Sequence, residues 1–208
     1  MSGPGAFITF EGIDGSGKST QARALAAHLR ALGREVVLTR EPGGSAGAEE
    51  IRRLVLEGDT DRWSAETELL LFTAARRDHL ERVIAPGVAA GRIVISDRYA
   101  DSTRMYQGLG RADLRARVDA LHDLMIGCEP DLTVLIDIDP DIGLDRALSR
   151  GDGEERFESF GADMQRRMRD GFLALAREFA GRFLVIDGNR APGAVTANVI
   201  AGVTDRLS

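Results

Sequence analysis

An eight-residue segment near the start of the chain has the residue types and the spacing that bind a nucleotide phosphate. Gly12 to Ser19 read GIDGSGKS, which fits the pattern G-x-x-x-x-G-K-[ST]. Glycines at these positions let successive backbone N–H groups point at one anion, and a following helix adds the positive end of its dipole. Lys18 can then reach the β- and γ-phosphates, while the Ser19 hydroxyl can bind Mg²⁺. The predicted phosphate-binding residues are Gly12, Asp14, Gly15, Ser16, Gly17, Lys18, Ser19 and Thr20.

Lys18 stands out further because it is the only lysine among the 27 basic residues of the chain. All the others are arginine, which a biased base composition in the genome would explain. Arginine does not replace a compact ammonium group where the space is small. The surviving lysine therefore supports a phosphate-binding role for this loop.

The elements that would position the loop alternate along the chain. Short apolar runs without polar alternation predict buried parallel strands at Ala6 to Phe10, Glu35 to Thr39, Ile93 to Ser96, Leu132 to Ile138 and Phe183 to Ile186. Helical patterns between them cover Ser19 to Leu32, Ala48 to Glu57, Ala65 to Ala90, Leu114 to Gly127, Ile142 to Ser149 and Ala162 to Ala180, and a last helix starts near Pro192. This order predicts an α/β fold with a doubly wound, parallel five-stranded sheet and helices on both faces. We expect a single domain over residues 1–208, with a charged, glycine-containing lid segment at about 149–160.

The phosphate loop alone does not decide what happens to the phosphate. A guanine-specific switch usually carries Asn-Lys-x-Asp, and the chain has no second lysine. A hydrolytic ATPase usually ends a strand in Asp-Glu, whereas the strand ends here read Ser96-Asp97-Arg98 and Ile136-Asp137-Ile138. A kinase that phosphorylates a nucleoside monophosphate fits better, because an anionic acceptor needs cations rather than a general base. A nucleotide-binding regulator that transfers nothing stays open as an alternative, as does a kinase for CMP, UMP or AMP.

The motifs resemble those of bacterial thymidylate kinases over nearly the whole chain. The resemblance rests on Phe10 to Thr20, Thr39 to Gly44, Leu70 to Phe72 with Arg76, and Asp97 to Gly108. It implies the architecture of P-loop nucleoside monophosphate kinases and the transfer of the γ-phosphoryl group of Mg·ATP to dTMP, which gives dTDP and ADP.

The resemblance also implies roles for individual residues in the acceptor site. Phe72 would stack on thymine, Arg76 would donate to O4, and Thr103 and Gln107 would face the other edge of the base. Tyr106 would crowd the 2′ position of the sugar, and Asp14 would accept from the 3′-hydroxyl. The predicted dTMP-binding residues are Asp14, Arg40, Glu41, Arg52, Phe72, Arg76, Arg98, Thr103, Tyr106 and Gln107. Glu41 could orient the arginines or the waters of the metal.

The residues implied for catalysis surround the transferring phosphoryl group. Asp97 would join Ser19 at Mg²⁺. Because Gly15 stands where other members of the family place an arginine in the loop, the lid arginines gain importance. The catalytic residues implied are Lys18, Arg98, Arg150 and Arg156.

Composition limits the partners and the compartment. The net charge of −6 argues against sequence-independent binding of nucleic acid. No apolar run is long enough to span a membrane, and we recognise no signal peptide. One cysteine, Cys128, cannot form an internal disulfide, which suits the cytoplasm. The resemblance implies a homodimer, for which the helix at Leu114 to Gly127 is a candidate face.

Overall fold

Five parallel strands form the centre of the protein. The structure is a computed structural model, and it describes residues 4–59, 62–110, 114–148 and 161–207. The strands are β1 (Ala6–Glu11), β2 (Val36–Arg40), β3 (Ile93–Asp97), β4 (Leu132–Asp137) and β5 (Phe183–Asp187). Their order in the sheet is β2-β3-β1-β4-β5, and every neighbouring pair is parallel. The predicted sheet is confirmed, and each predicted strand lies within two residues of the observed one.

Helices connect the strands. They are α1 (Lys18–Ala31), α2 (Ala46–Leu56), α3 (Ala65–His79), α4 (Ala85–Ala89), α5 (Ala100–Met105), α6 (Arg115–Met125), α7 (Pro140–Leu148), α8 (Gly161–Glu178) and α9 (Pro192–Leu207). A π-helical segment, Leu80–Ile84, joins α3 to α4, so the helix predicted from Ala65 to Ala90 is continuous but contains a π segment. A second π-helical segment, Tyr106–Gly110, follows α5. Neither α5 nor this segment was predicted from the sequence.

The core occupies both faces of the sheet, because alternate side chains of a strand point to opposite faces. On one face, Ile8 and Phe10 of β1 pack with Leu25 of α1 and Val199 of α9. On the other face, two clusters lie side by side. The first contains Leu135, Met105 and Phe172, and the second contains Phe7, Val94, Ile84 and Tyr99. Burial on both faces explains why the strands read as nearly continuous apolar runs.

The connections that follow β1, β2 and β3 all leave the sheet at its carboxyl edge. The loop after β1 leads into α1, the loop after β2 begins with Glu41, and α5 begins three residues after β3 ends at Asp97. Ligands of open parallel sheets bind at this edge. The predicted functional segments thus meet in one region.

Candidate active site

The loop after β1 is shaped to hold an anion. Gly17 has a φ of 91° and precedes the first residue of α1, and no side chain among the described residues caps that helix. The N–H groups of its first turn are therefore left for a ligand. Gly15 has a φ of 75°, and a Cβ atom there would overlap the carbonyl oxygen of Gly143 at α7. Glycine is required at this position for both reasons.

Lys18 folds back over the loop. Its Nζ atom donates to the carbonyl oxygen of Ile13 at 2.8 Å and to Oγ of Ser16 at 3.4 Å. The side chain is almost completely buried. Burial, reinforced by the positive charge of Arg98, lowers the pKa of Lys18 to about 8. A buried ammonium group of this kind gains most when an anion binds beside it.

Ser19 and Asp97 form a pair at the entrance of the loop. The Ser19 hydroxyl donates to Oδ2 of Asp97. Oδ1 of Asp97 is buried and has no hydrogen-bond partner among the described residues. A hydroxyl next to a carboxylate with an unused buried oxygen suits the oxygen ligands that Mg²⁺ and its waters prefer. The two residues therefore fit the predicted metal site.

Arg98 lies at the centre of the site in an unusual backbone conformation. Its φ of 71° is the only positive value among the described residues other than glycine. Such strain persists where the surroundings impose it, as they often do at functional sites. The guanidinium group forms an ion pair with Asp14 and donates to Oγ of Ser102 at 3.0 Å. The Tyr106 hydroxyl donates to the other oxygen of Asp14 at 2.9 Å, so Asp14 joins Arg98 to Tyr106.

A pocket opens beside the loop between α2, α3 and α5. It is lined by Asp14, Glu41, Pro42, Arg52, Leu56, Phe72, Arg76, Arg98, Tyr99, Ser102, Thr103, Tyr106 and Gln107. We call it the acceptor pocket. Of the predicted dTMP-binding residues, only Arg40 lies outside this lining.

The polar side chains of the acceptor pocket are held by buried partners. Arg76 donates from Nε to Oε2 of Glu41 at 2.8 Å and from Nη2 to Oγ1 of Thr103 at 2.8 Å. The second oxygen of Glu41 lies 3.0 Å from Nδ1 of His79. Gln107 donates from Nε2 to Oε1 of Glu68 at 2.8 Å. Glu41 is thus a hydrogen-bond partner of Arg76. Of the two roles predicted for Glu41, orienting the arginines or orienting the waters of the metal, this contact corresponds to the first.

A second cleft follows the phosphate loop, and we call it the phosphate cleft. It is lined by Asp14, Gly15, Gly17, Lys18, Ser19, Ala22, Arg23, Leu38, Thr39, Arg40, Glu41, Arg52, Asp97 and Arg98. Arg40 lies here, half exposed and paired with Glu49 at 3.2 Å. Arg52 donates to the carbonyl oxygen of Pro42 at 2.6 Å. The two clefts share Asp14, Glu41, Arg52 and Arg98.

Comparison with known proteins assigns the family. The sequence model described as thymidylate kinase matches residues 10–199. A thymidylate kinase from Ruegeria pomeroyi is 71% identical over 208 residues, which are 100% of this chain and 99% of the relative. One from Dinoroseobacter shibae is 66% identical over 98% of this chain and 99% of the relative. The chain belongs to the thymidylate kinase family.

A solved structure supports the same assignment. The crystal structure of thymidylate kinase from Ehrlichia chaffeensis superposes with a TM-score of 0.78 at 36% identity, over 97% of this chain and 99% of that one. Thymidylate kinases phosphorylate dTMP to dTDP with ATP, and the family assigns this activity to the chain. The predicted family, fold and enzyme class are confirmed. Among the described residues, no helix is long and apolar enough to cross a membrane.

Some of the predicted site residues lie apart from the two clefts. Thr20 is exposed in the first turn of α1 and does not line the phosphate cleft. Gly12 and Ser16 belong to the loop but not to that lining, and Ser16 instead accepts from Lys18. Arg150 and Arg156, like most of the predicted lid at about 149–160, lie outside the described residues.

Several residues that support the site were not predicted from the sequence. Glu11, Glu68 and His79 are fully buried, and each hydrogen-bonds a segment that carries predicted site residues. Glu11 immediately precedes the phosphate loop, so the position of the loop motif could have indicated a role for it. Their partners lie far away along the chain, however, and no local pattern indicates them.

Proposed function

We propose that this enzyme binds dTMP in the acceptor pocket and Mg·ATP in the phosphate cleft, and transfers the γ-phosphoryl group directly between them. The observation that carries the proposal is the junction of the two clefts. Two arginines, Arg52 and Arg98, and two carboxylates, Asp14 and Glu41, line both of them. A monophosphate held at this junction would face the γ-phosphate of a nucleotide bound to the loop. In-line transfer needs this arrangement.

The cations around the junction have distinct roles in the proposal. Lys18 neutralises the charge that builds on the β- and γ-phosphates, and Arg98 does so on the transferring group. Arg52 and Arg40 hold the 5′-phosphate of the acceptor. Burial opposes the charge of Arg98, but Tyr106, Asp14 and Asp97 raise its pKa, so it stays cationic throughout.

Ser19 and Asp97 hold Mg²⁺ in this proposal. Oδ1 of Asp97, to which no described residue donates, supports it, because a buried carboxylate oxygen without a donor is suited to a cation or to water bound by one. A bound Mg²⁺ would neutralise the phosphate oxygens of ATP. The lid arginines Arg150 and Arg156 complete the proposed catalytic set, and closure of the lid would exclude water from the transferring group.

The acceptor pocket selects the nucleoside. Phe72 supplies an aromatic surface one helical turn before Arg76, so that one face of α3 offers both a stacking partner and a donor. Thr103 and Gln107 contact the other edge of the base. Tyr106 and Asp14, which are hydrogen-bonded to each other, contact the deoxyribose.

The proposal also includes a homodimer that works in the cytoplasm. On α6, the helix predicted as a candidate face, Leu124 is 78% exposed and Met125 is 43% exposed. Apolar side chains left in solvent at neighbouring positions support burial against a second subunit. Sedimentation would show a dimer, and a charged residue at Leu124 would weaken it.

Replacing Lys18 tests the transfer mechanism. We expect Lys18→Ala to lower kcat by about a thousandfold, because the charge that builds on the phosphates loses its nearest cation. The melting temperature should stay close to that of the wild type. Arg30→Ala is the matched control, since Arg30 lies exposed on α1 and its side chain donates, among the described residues, to the carbonyl oxygen of Val36 alone. Near-normal turnover by Lys18→Ala would refute the proposal.

A further inference from the structure

The hydrogen-bonding polarity of Arg76 in the acceptor pocket is set by its partners. Nε donates to Glu41, and Nη2 donates to Thr103 and to the carbonyl oxygen of Tyr99 at 3.2 Å. Nη1 has no hydrogen-bond partner among the described residues. Arginine has donors only. Arg76 therefore presents an N–H donor to any base in the pocket.

The polarity of Gln107 is set by Glu68. A side-chain amide can turn over and exchange its oxygen for its nitrogen, so its neighbours decide which atom faces which way. Oε1 of Glu68 accepts from Nε2 of Gln107 at 2.8 Å, and Glu68 is fully buried. A carboxylate only accepts, so it selects the nitrogen and turns the amide oxygen away from itself. Gln107 lines the acceptor pocket, and no described residue donates to its Oε1.

The donor of Arg76 and the acceptor of Gln107 match the hydrogen-bonding edge of thymine but not that of cytosine. Thymine and uracil present an acceptor, O4, next to a donor, the N3–H group. Cytosine presents an amino donor next to an unprotonated N3 that accepts. A donor from Arg76 and an acceptor from Gln107 therefore pair with the thymine edge, whereas cytosine would place donor against donor and acceptor against acceptor. Unpaired polar groups in a buried site are costly, so such a site discriminates strongly.

We propose that Glu68 is a positioning residue for base specificity: it fixes the amide of Gln107 so that Oε1 accepts from the N3–H group of thymine and rejects cytosine. The inference rests on the proposed function, because it requires the base to lie between Arg76 and Gln107. Glu68 itself does not touch the substrate. Its effect is therefore on selectivity between bases.

Replacing Glu68 by glutamine tests the assignment. The new amide can donate to Oε1 of Gln107, which lets the Gln107 amide turn over and present its nitrogen to the base. We expect Glu68→Gln to lower the ratio of kcat/KM for dTMP to kcat/KM for dCMP by about tenfold or more, mainly through a higher KM for dTMP. The kcat/KM for dUMP should fall by the same factor as that for dTMP, because the two bases share this edge.

Controls separate specificity from folding. Glu66→Gln makes the same change two residues away on α3, where Glu66 is exposed and paired with Arg117, and it should leave the ratio unchanged. If Glu68→Gln does not fold, Glu68→Met keeps the length of the side chain and removes the acceptor, and it should also lower the ratio. Equal losses with dTMP and dCMP, or an unchanged ratio, would overturn the role of Glu68 alone. A wild-type enzyme without preference for dTMP over dCMP would overturn the proposed base pocket instead.

Discussion

Glu11 accepts two hydrogen bonds from Ser102, one from its hydroxyl at 2.6 Å and one from its backbone nitrogen at 3.3 Å. The backbone nitrogen of Tyr99 donates to the same carboxylate at 2.8 Å. Glu11 therefore supplies the cap that the first residues of α5 lack, since no side chain of the helix caps it. The Ser102 hydroxyl also accepts from Arg98, so a buried carboxylate at the end of β1 aligns the strained Arg98 indirectly.

Glu11→Gln should therefore impair the enzyme without unfolding it. The new amide nitrogen would donate to Ser102 in competition with Arg98, and we expect kcat/KM for dTMP to fall about tenfold. Glu35→Gln, at an exposed carboxylate paired with Arg92, is the matched control and should leave kcat/KM unchanged. A kcat/KM for Glu11→Gln equal to that of the wild type would show that Glu11 does not position Arg98.

The same variant should change how stability depends on pH. Burial, with the negative charge of Asp101 adding to it, raises the pKa of Glu11 from 4.5 to about 7. Between pH 4.5 and about pH 7, the folded state therefore binds more protons than the unfolded state. The stability that Glu11 contributes is fully present below pH 4.5 and is lost as the pH rises through 7. Glutamine does not titrate. The melting temperature of Glu11→Gln relative to the wild type should therefore rise between pH 5 and pH 8, and a constant difference would contradict the shifted pKa.

Asp97→Asn tests the metal site. The amide keeps an acceptor but loses the charge, so we expect the Mg²⁺ concentration for half-maximal rate to rise about tenfold. Calorimetry should show weaker binding of Mg·ATP, while dTMP binding stays unchanged. An unaltered Mg²⁺ dependence would place the metal elsewhere.

Gly15→Ala tests the close contact between the phosphate loop and α7. Gly33 provides the matched control, because its φ of 79° is similar to the 75° of Gly15 but no described residue comes within 4 Å of a Cβ atom there. Both substitutions introduce the same backbone strain, and only Gly15→Ala adds overlap with Gly143. We expect Gly15→Ala to lower the free energy of unfolding by about 1–3 kcal/mol more than Gly33→Ala, as measured in urea. Equal losses would mean that the loop moves away from α7 at no cost.

The sequence predicted the sheet and the phosphate loop because both leave local patterns: apolar runs for buried strands and glycines at fixed spacing for the loop. It did not predict α5, because the residues from Ala100 to Met105 are all buried although Asp101, Ser102, Thr103 and Arg104 are polar, so no apolar stripe marks a helical period. It also could not assign partners across the fold. Gln107 lies 39 residues from Glu68, and Ser102 lies 91 residues from Glu11, so only the folded chain brings these pairs together.

The proposed reaction is tested by the rate of ADP release with Mg·ATP and each of a set of monophosphates: dTMP, dUMP, CMP, UMP and AMP. We expect turnover with dTMP at a kcat/KM about tenfold or more above that of CMP and AMP, because Phe72, Arg76 and Gln107 line one pocket beside the phosphate cleft and fit the thymine edge rather than cytosine or adenine. Preference for another monophosphate would contradict the roles of these three residues. Binding of ATP with no transfer to any acceptor would contradict phosphoryl transfer itself.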